Sequence, residues 1–85
     1  MQRIRWNPLK NARLRLLRGV TFEELLGARL VALKQHPSRP EQEVMLVDYK
    51  GYIWVVPFVE DGDGIFLKTL YPSRKYTRLY RQGVL

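Results

Sequence analysis

Two helix boundaries that lie almost back to back constrain the fold of this chain more than any other feature. Asn7-Pro8 is a helix-start signal, because asparagine caps free amide groups and proline suits the first helical position. Gly19 is a stop signal, and Thr21 with Glu24 three residues later forms the capping box of a second helix. Helices joined by so short a junction turn sharply. The sequence therefore predicts a first helix that ends before Gly19 and a second helix that carries FEELLGARL.

Period-two alternation of apolar residues predicts strands on both sides of this helix pair. QRIRW, residues 2–6, places Ile4 and Trp6 on one side of a strand. Later segments are rich in β-branched and aromatic residues, which favour strands: LVALKQ (30–35), EVMLVDY (43–49), YIWVVPF (52–58) and GIFLKTLY (64–71). The last three segments are connected by turns at KG (50–51) and EDGDG (60–64). Pro57 has no amide proton to donate, so we expect it at a bulge or an edge position.

These elements predict one α+β domain that spans residues 1–85. An N-terminal strand comes first and is followed by the two-helix hairpin. The hairpin packs on an antiparallel sheet of about four strands, and a short helix ends the chain. A chain of this length buries one modest core, because it removes roughly 60–65% of its unfolded surface from water.

The C-terminal stretch KTLYPSRKYTRLYRQ, residues 68–82, carries five basic residues, three tyrosines and no acidic residue. Ser73 is an N-cap signal for a helix over 74–82. At 100° per residue, one arc holds Arg74, Thr77, Arg78 and Arg81, and the opposite arc holds Tyr76, Leu79 and Tyr80. The tyrosine arc is predicted to pack on the sheet, with the arginine arc outward. The arginine arc is either a surface for RNA or the solvated face of an ordinary amphipathic helix.

The charge balance favours anionic partners. Lys and Arg total 15 against 8 Asp and Glu, which gives a formal net charge of +7. Such a field attracts nucleic acid, an acidic protein or an anionic membrane surface.

The chain has no cysteine, so it has neither a disulfide frame nor a thiolate metal site. The N-terminal segment has no apolar run of signal-peptide length, and no segment is long and apolar enough to span a bilayer. We expect a cytoplasmic protein without a membrane partner.

Several kinds of catalytic site are excluded by the motifs that the sequence lacks. It has no P-loop, no glycine-rich dinucleotide fingerprint and no zinc-ligand spacing, so we expect neither a cofactor nor a metal. The chain has a single histidine, so a two-histidine ribonuclease mechanism is excluded. That residue, His36, precedes Pro37 in a polar loop. The carboxylates Glu60, Asp61 and Asp63 lie close together in the sequence, as for a cation site or a catalytic base, but Asp-Gly pairs favour hairpin turns and we expect them to serve turn formation.

Three short motifs are similar to those of the BrnT family of toxins. RWNPLK resembles the family's opening aromatic-Trp-Asp-Pro-x-Lys, and RGVTFEE resembles its helix junction His-Gly-Val-Ser-Phe-Glu-Glu. PSRKYT is similar to the family's ending Ala-Arg-Lys-Ala-Thr. The motifs occur in the family's order and at about its spacing. The departures that matter most are at Asn7, which replaces the usual Asp, and at Leu14, Arg18 and Tyr76, which replace an Asn, a His and a small residue.

The resemblance implies a RelE-like fold and a toxin of a bacterial type II toxin-antitoxin system. Such toxins are endoribonucleases that stop translation. They are neutralised by an antitoxin, usually of ribbon-helix-helix type, and they reach DNA only through the complex with it. The residues that match the family motifs are Trp6, Pro8, Lys10, Gly19, Phe22, Glu23, Glu24, Arg74, Lys75 and Thr77.

Cleavage of RNA by its own 2′-OH needs proton transfer and stabilisation of the transition state. Cations in fixed positions can stabilise that transition state. The candidate catalytic residues are Lys10, Arg74 and Lys75, with Arg74 as the clamp of the scissile phosphate. The candidate RNA-binding residues are Arg18, Tyr71, Arg78, Tyr80 and Arg81. Two alternatives use the same basic surface: a nucleic-acid-binding module without catalysis, and a protein-interaction domain that binds an acidic helix.

Overall fold

The computed structural model describes residues 3–85, which form a six-stranded mixed sheet and three helices. The elements are, in chain order, β1 (Arg3–Trp6), α1 (Pro8–Arg18), α2 (Phe22–Leu26), β2 (Arg29–Gln35), β3 (Glu43–Tyr49), β4 (Tyr52–Asp61), β5 (Gly64–Leu67), β6 (Tyr71–Pro72) and α3 (Arg74–Arg81). The predicted α+β class and the predicted starts of the three helices are confirmed. Gln2, which was included in the predicted first strand, lies outside the described residues.

The helix pair is held by the predicted caps. The Asn7 side chain accepts hydrogen bonds from the backbone N–H groups of Leu9 and Lys10, at 2.9 and 3.3 Å. Gly19 ends α1 in the left-handed conformation, with a φ of 72°. The capping box is present, since Thr21 Oγ1 accepts from the Glu24 N–H and the Glu24 carboxylate accepts from the Thr21 N–H, both at 3.2 Å.

The second helix is shorter than predicted. Gly27 ends α2 after Leu26, and Arg29 already belongs to β2, so FEELLGARL is split between a helix and a strand. Asn11 ties the short helix to α1, because its side-chain oxygen accepts from the Phe22 N–H at 2.9 Å. A five-residue helix has little stability of its own. The cap, the Asn11 bond and the buried Phe22 therefore hold α2 in place.

The sheet is mixed and has six strands, so the prediction of an antiparallel sheet of about four strands was wrong. The strand order is β1-β5-β4-β3-β2, and β6 pairs with β4 beside β5. Strands β2 to β5 pair antiparallel, whereas β1 runs parallel to β5. Single-strand periodicity does not specify the direction of a partner, and the pairing of β1 joins residues about sixty positions apart.

Pro57 lies in the middle of β4, not at a bulge or at the edge of the sheet. It stands opposite the gap between β5 and β6, where its carbonyl oxygen accepts from the Lys68 N–H at 2.8 Å. A proline donates no ladder bond, so the neighbouring strand is interrupted beside it. The predicted single strand over residues 64–71 is therefore divided into β5 and β6.

Alternate side chains of the sheet form two cores on its two faces. The first core packs α1 and α2 on one face, and its largest contributors include Phe22, Phe58 and Leu70. The second core lies on the other face, where Val44, Leu46, Ile53 and Val55 meet residues of α3. The N-terminal helix pair and the C-terminal helix thus cover opposite faces of one sheet, and this arrangement decides which basic residues can share a site.

Candidate functional site

The C-terminal helix α3 packs on the sheet through its tyrosine arc, as predicted. Ser73 caps the helix, and its Oγ accepts from the Tyr76 N–H at 3.1 Å. Tyr76 and Tyr80 are half-buried against the second core, together with Tyr71 of β6. The arginine side chains of α3 are exposed. An apolar arc with a basic arc beside it therefore places a row of positive charge at the protein surface.

Thr77 does not belong to the exposed arc on which the sequence places it. Its side chain is buried, with 2% of its surface exposed. Thr77 Oγ1 accepts from the Ile53 N–H at 2.8 Å and donates to the Ser73 carbonyl at 2.7 Å. The Ser73 N–H donates in turn to the Ile53 carbonyl at 2.8 Å. The first turn of α3 thereby satisfies both backbone groups of Ile53 and fixes the helix against β4.

Replacement of Thr77 with valine is expected to lower the free energy of unfolding by about 2 kcal/mol, because the buried Ile53 N–H loses its acceptor. Thr77→Ser keeps the hydroxyl and removes one methyl group, so it is expected to cost about 1 kcal/mol. Urea denaturation of the two variants and the native chain measures both losses. A valine variant at least as stable as the serine variant would contradict the assigned role of this hydrogen bond.

An open groove of about 400 Å³ runs along the exposed side of α3. We call it the α3 groove, and its lining residues are Tyr52, Arg74, Thr77, Arg78, Arg81 and Gln82. No acidic residue lines it. Arg81 is held in position by a hydrogen bond from its Nη2 to the Gly51 carbonyl, at 3.2 Å. Three guanidinium groups along one groove without a carboxylate create a field that attracts anions.

The charges of α3 remain unneutralised within the described chain. Over residues 3–85 the one ion pair joins Arg5 to Asp61, on strands β1 and β4. The first turn of α3 contains Arg74 and Lys75 and no acidic residue. Cations at a helix N-terminus add to the positive end of the helix dipole, an arrangement that disfavours the free helix and favours a bound anion. The electrostatics of α3 thus suit ligand binding better than stability.

The tyrosines predicted to contact RNA are mainly structural. Tyr71 pairs with Val55 through β6 and packs in the second core, and Tyr80 packs beside it. Burial raises the pKa of Tyr71, and the neighbouring Tyr76 raises it further. Tyr71 therefore stays protonated at neutral pH and does not act as a base. The aromatic residue that lines the groove is Tyr52, which follows the Lys50-Gly51 turn.

Tyr52 cannot be recognised as a site residue from the sequence, because it alternates as an ordinary strand position. The signal that identifies it is three-dimensional: Arg81 reaches the Gly51 carbonyl and brings α3 beside the start of β4. The Lys50-Gly51 turn itself is as predicted, and positive φ angles of 55° and 81° at its two residues are typical of a tight hairpin.

Lys10 and Arg18 do not join the other predicted site residues. Both lie on α1, which packs against the first core, whereas Arg74 and Lys75 lie on α3 at the opposite face of the sheet. The structure therefore separates the proposed catalytic set: Lys10 lies on one face of the sheet, Arg74 lines the α3 groove, and Lys75 lies on α3 next to Arg74 but is not among the groove's lining residues. Lys75 is exposed, and its Nζ lies 5.8 Å from the centre of the Tyr76 ring, within cation–π range.

The remaining polar side chains that suggested chemistry serve local structure. His36 Nδ1 accepts from the backbone N–H groups of Ser38 and Arg39, at 3.2 and 3.1 Å. Asp61 Oδ1 accepts from the Asp63 and Gly64 N–H groups, which is the predicted turn role. The side chain of Arg5 and the Asp63 amide hold the pKa of Asp61 below its usual value. None of these groups lines the α3 groove.

A pair of carboxyl groups lies on β3 and β4, at the end of these strands that is away from the α3 groove. Glu43 begins β3, Glu60 is close to the end of β4, and a hydrogen bond between the two carboxyl groups raises the pKa of Glu43. The α3 groove meets β4 at its other end, at Tyr52. The carboxyl pair is therefore not available to chemistry in the groove. Within residues 3–85 no three His, Cys, Asp or Glu side chains come together as metal ligands would.

None of the helices described over residues 3–85 combines the length and the apolar character needed to cross a membrane. Comparison with protein-family models, curated proteins and solved structures found no match to this chain. The features of this chain that bear on its function are therefore the α3 groove and the three motifs.

Proposed function

We propose that the chain is an RNA-binding protein that acts as an endoribonuclease, with its site in the α3 groove. The observation that carries the proposal is the row of Arg74, Arg78 and Arg81 along one groove without an acidic partner. Guanidinium groups bind phosphate in a bidentate manner, which suits the backbone of a nucleic acid. Positions 74 and 81 are about 10 Å apart along the helix axis, a span that covers more than one phosphate.

The position of Tyr52 in the α3 groove favours RNA as the ligand over other anions. An aromatic ring beside a basic row is the arrangement with which proteins bind single strands, because the ring stacks on an unpaired base while the cations bind the backbone. Tyr52 takes the stacking role that the sequence assigned to Tyr71 and Tyr80. Duplex DNA presents no unpaired base, so the α3 groove favours single-stranded RNA over duplex DNA.

The proposed chemistry is attack of the RNA 2′-OH on the adjacent phosphate. The 2′-OH loses its proton as its oxygen forms a bond to phosphorus. The bond between phosphorus and the 5′-oxygen breaks, and the 5′-oxygen takes up one proton, so that no proton is gained or lost overall. The transition state carries additional negative charge on the phosphate oxygens. Arg74 and Lys75, at the positive end of α3, stabilise that charge. Lys10 has no part in this step, because α1 lies on the opposite face of the sheet.

The biological role that fits this chemistry is that of a RelE-like, cytoplasmic toxin of a type II toxin-antitoxin system. The support is the position of the three BrnT-like motifs in the fold. RWNP forms the end of β1 and the cap of α1, RGVTFEE forms the junction of α1 and α2, and PSRKYT forms the cap and first turn of α3. In this role the partner is a ribbon-helix-helix antitoxin, and contact with DNA occurs through the complex.

A second candidate function is RNA binding without cleavage. It is favoured by one specific observation: the residues that line the α3 groove include neither a histidine nor a carboxylate, the side chains that most often transfer protons at neutral pH. The two candidates share the groove and the RNA ligand, and they differ in whether the RNA is cut.

RNA binding at the α3 groove is expected to fall by at least about tenfold in the Arg78→Ala/Arg81→Ala variant, because two charge-assisted phosphate contacts are lost. The slope of log K against log salt is expected to decrease in magnitude by about 1.4. Fluorescence anisotropy with a labelled single-stranded RNA measures both quantities.

The matched control is Lys10→Ala/Arg18→Ala, which removes two charges from the opposite face of the sheet. Each double variant lowers the formal net charge from +7 to +5. We expect the control to bind RNA within about twofold of the native chain, since long-range interactions are screened by salt. Equal losses in both variants would show that net charge, not the α3 groove, determines RNA binding.

A further inference from the structure

The outward face of α1 carries an apolar seam that the described residues leave uncovered. Leu9 and Leu16 are 80% and 87% exposed, and Ala12 lies between them on the same side of the helix. Leu14, on the other side, is the residue that α1 buries in the core. Positions 9, 12 and 16 follow an i, i+3, i+7 spacing and form one narrow stripe. We call Leu9, Ala12 and Leu16 the α1 seam.

Two arginines border the α1 seam. If its three residues occupy heptad positions a, d and a, then Arg13 is at position e and Arg15 at position g, the positions that decide the partner in helix pairing. Both side chains are exposed, and α1 contains no acidic residue. An open groove of about 580 Å³ continues the seam on the Arg15 side, towards Thr21 at the start of α2. Glu23 also lines this groove, where its carboxylate accepts a hydrogen bond from the Asn11 side chain at 2.6 Å. The surface thus combines an apolar centre, basic borders and space for incoming side chains.

The charges select among the possible occupants. A second copy of this chain would bring arginines against arginines at the flanking positions, which opposes pairing. A helix that lies on a membrane presents a broad apolar face with large aromatic anchors. The α1 seam is one side chain wide, includes alanine and has arginines directly beside it. An RNA strand would gain nothing from the exposed leucines. The occupant that fits is a helix with an apolar stripe and acidic borders.

We propose that the α1 seam is the docking site for an acidic amphipathic helix of a partner protein. The partner's apolar stripe covers Leu9 and Leu16, and its Glu or Asp side chains pair with Arg13 and Arg15. Ala12 lets the two helices approach closely. The inference does not rest on RNA binding or cleavage. Because α1 and α3 cover opposite faces of the sheet, the chain binds this helix and an anion in the α3 groove at the same time.

The test uses two labelled synthetic peptides of about 21 residues, or three heptads. Both have Leu at positions a and d; one has Glu and the other has Lys at positions e and g. Fluorescence anisotropy with the native chain at about 50 mM and about 300 mM NaCl is expected to show saturable binding of the Glu peptide, weaker at the higher salt. Leu9→Gln/Leu16→Gln is expected to weaken this binding by at least about tenfold.

Two further variants distinguish specific binding at the α1 seam from nonspecific binding of an apolar peptide. Leu17 is 73% exposed on the same helix but lies outside the seam, so Leu17→Gln is expected to bind the Glu peptide within about twofold of the native chain. Arg13→Glu/Arg15→Glu is expected to prefer the Lys peptide. All substituted residues are exposed, and far-UV circular dichroism of each variant checks that the fold is retained.

Three results would overturn the proposal. The first is the absence of saturable binding of the Glu peptide up to about 200 μM. The second is equal binding by the native chain and the Leu9→Gln/Leu16→Gln variant. The third is binding of the native chain, but not of that variant, to phosphatidylserine vesicles without any binding of the peptide, which would assign the seam to a membrane surface.

Discussion

Replacement of Gly64 with alanine is expected to lower the free energy of unfolding by about 3 kcal/mol or more. Gly64 pairs with Arg3 where β1 joins the sheet, and its φ of 148° is one that other residues rarely adopt. A Cβ atom at this position would lie 2.6 Å from the Arg3 backbone nitrogen and nearer still to the Arg3 carbonyl oxygen. Since both partners are backbone, neither can rotate away, and β1 must separate from β5.

Thermal and urea denaturation measure this loss, and a domain of this size is expected to melt about 12–24 °C lower. The control is Gly62→Ala in the same turn, where an added Cβ meets no atom within 4 Å. The control is expected to change the stability by less than about 1 kcal/mol. If the Gly64 variant also remained within about 1 kcal/mol of the native chain, the close parallel pairing of β1 and β5 would be wrong.

Removal of the two cations at the start of α3 is expected to abolish most RNA cleavage. The variant Arg74→Ala/Lys75→Ala is expected to lower the single-turnover cleavage rate by at least about 100-fold, because loss of a fixed charge at the transition state typically costs this much. Both side chains are exposed and make no ion pair within residues 3–85, so the fold is expected to tolerate their loss. Timed gel analysis of an end-labelled RNA at saturating protein measures the rate.

A charge-matched variant on the other helix provides the control. Arg13→Ala/Arg15→Ala also lowers the formal net charge from +7 to +5, but its side chains lie on α1. It is expected to cleave RNA within about threefold of the native rate. Cleavage that survives in the α3 variant, or falls equally in both, would remove Arg74 and Lys75 from the catalytic site.

The starts of the three helices and the end of α1 were predictable, because each depends on side chains a few residues away. Asn7, Thr21 and Ser73 all cap the helices that follow them, and Gly19 ends α1, as their local sequence indicates. Capping compensates backbone groups that every helix leaves free, so the signal is the same in any fold. The hairpin turn at Lys50-Gly51 is predictable for a similar reason, because a conformation with positive φ is needed there.

The arrangement of the candidate site was not predictable from the same signals. A helical wheel indicated that the tyrosine arc of α3 faces the sheet, but not how far the buried face extends around the helix, and Thr77 proved to be buried. Sequence motifs placed Lys10 with Arg74, whereas the two lie on helices that cover opposite faces of the sheet. Both outcomes depend on contacts between distant parts of the chain, which the local pattern does not encode.

The most direct test of the proposed function is to incubate the purified chain with a single-stranded RNA in EDTA, beside the same sequence with 2′-deoxy sugars. The proposal predicts that the RNA is cut, that the products carry 2′,3′-cyclic phosphate ends, and that the deoxy strand is bound but remains intact, because attack requires the 2′-OH. Binding of the RNA without cleavage would contradict the assigned catalysis and leave RNA binding as the function of the α3 groove. Absence of binding to either strand would contradict both.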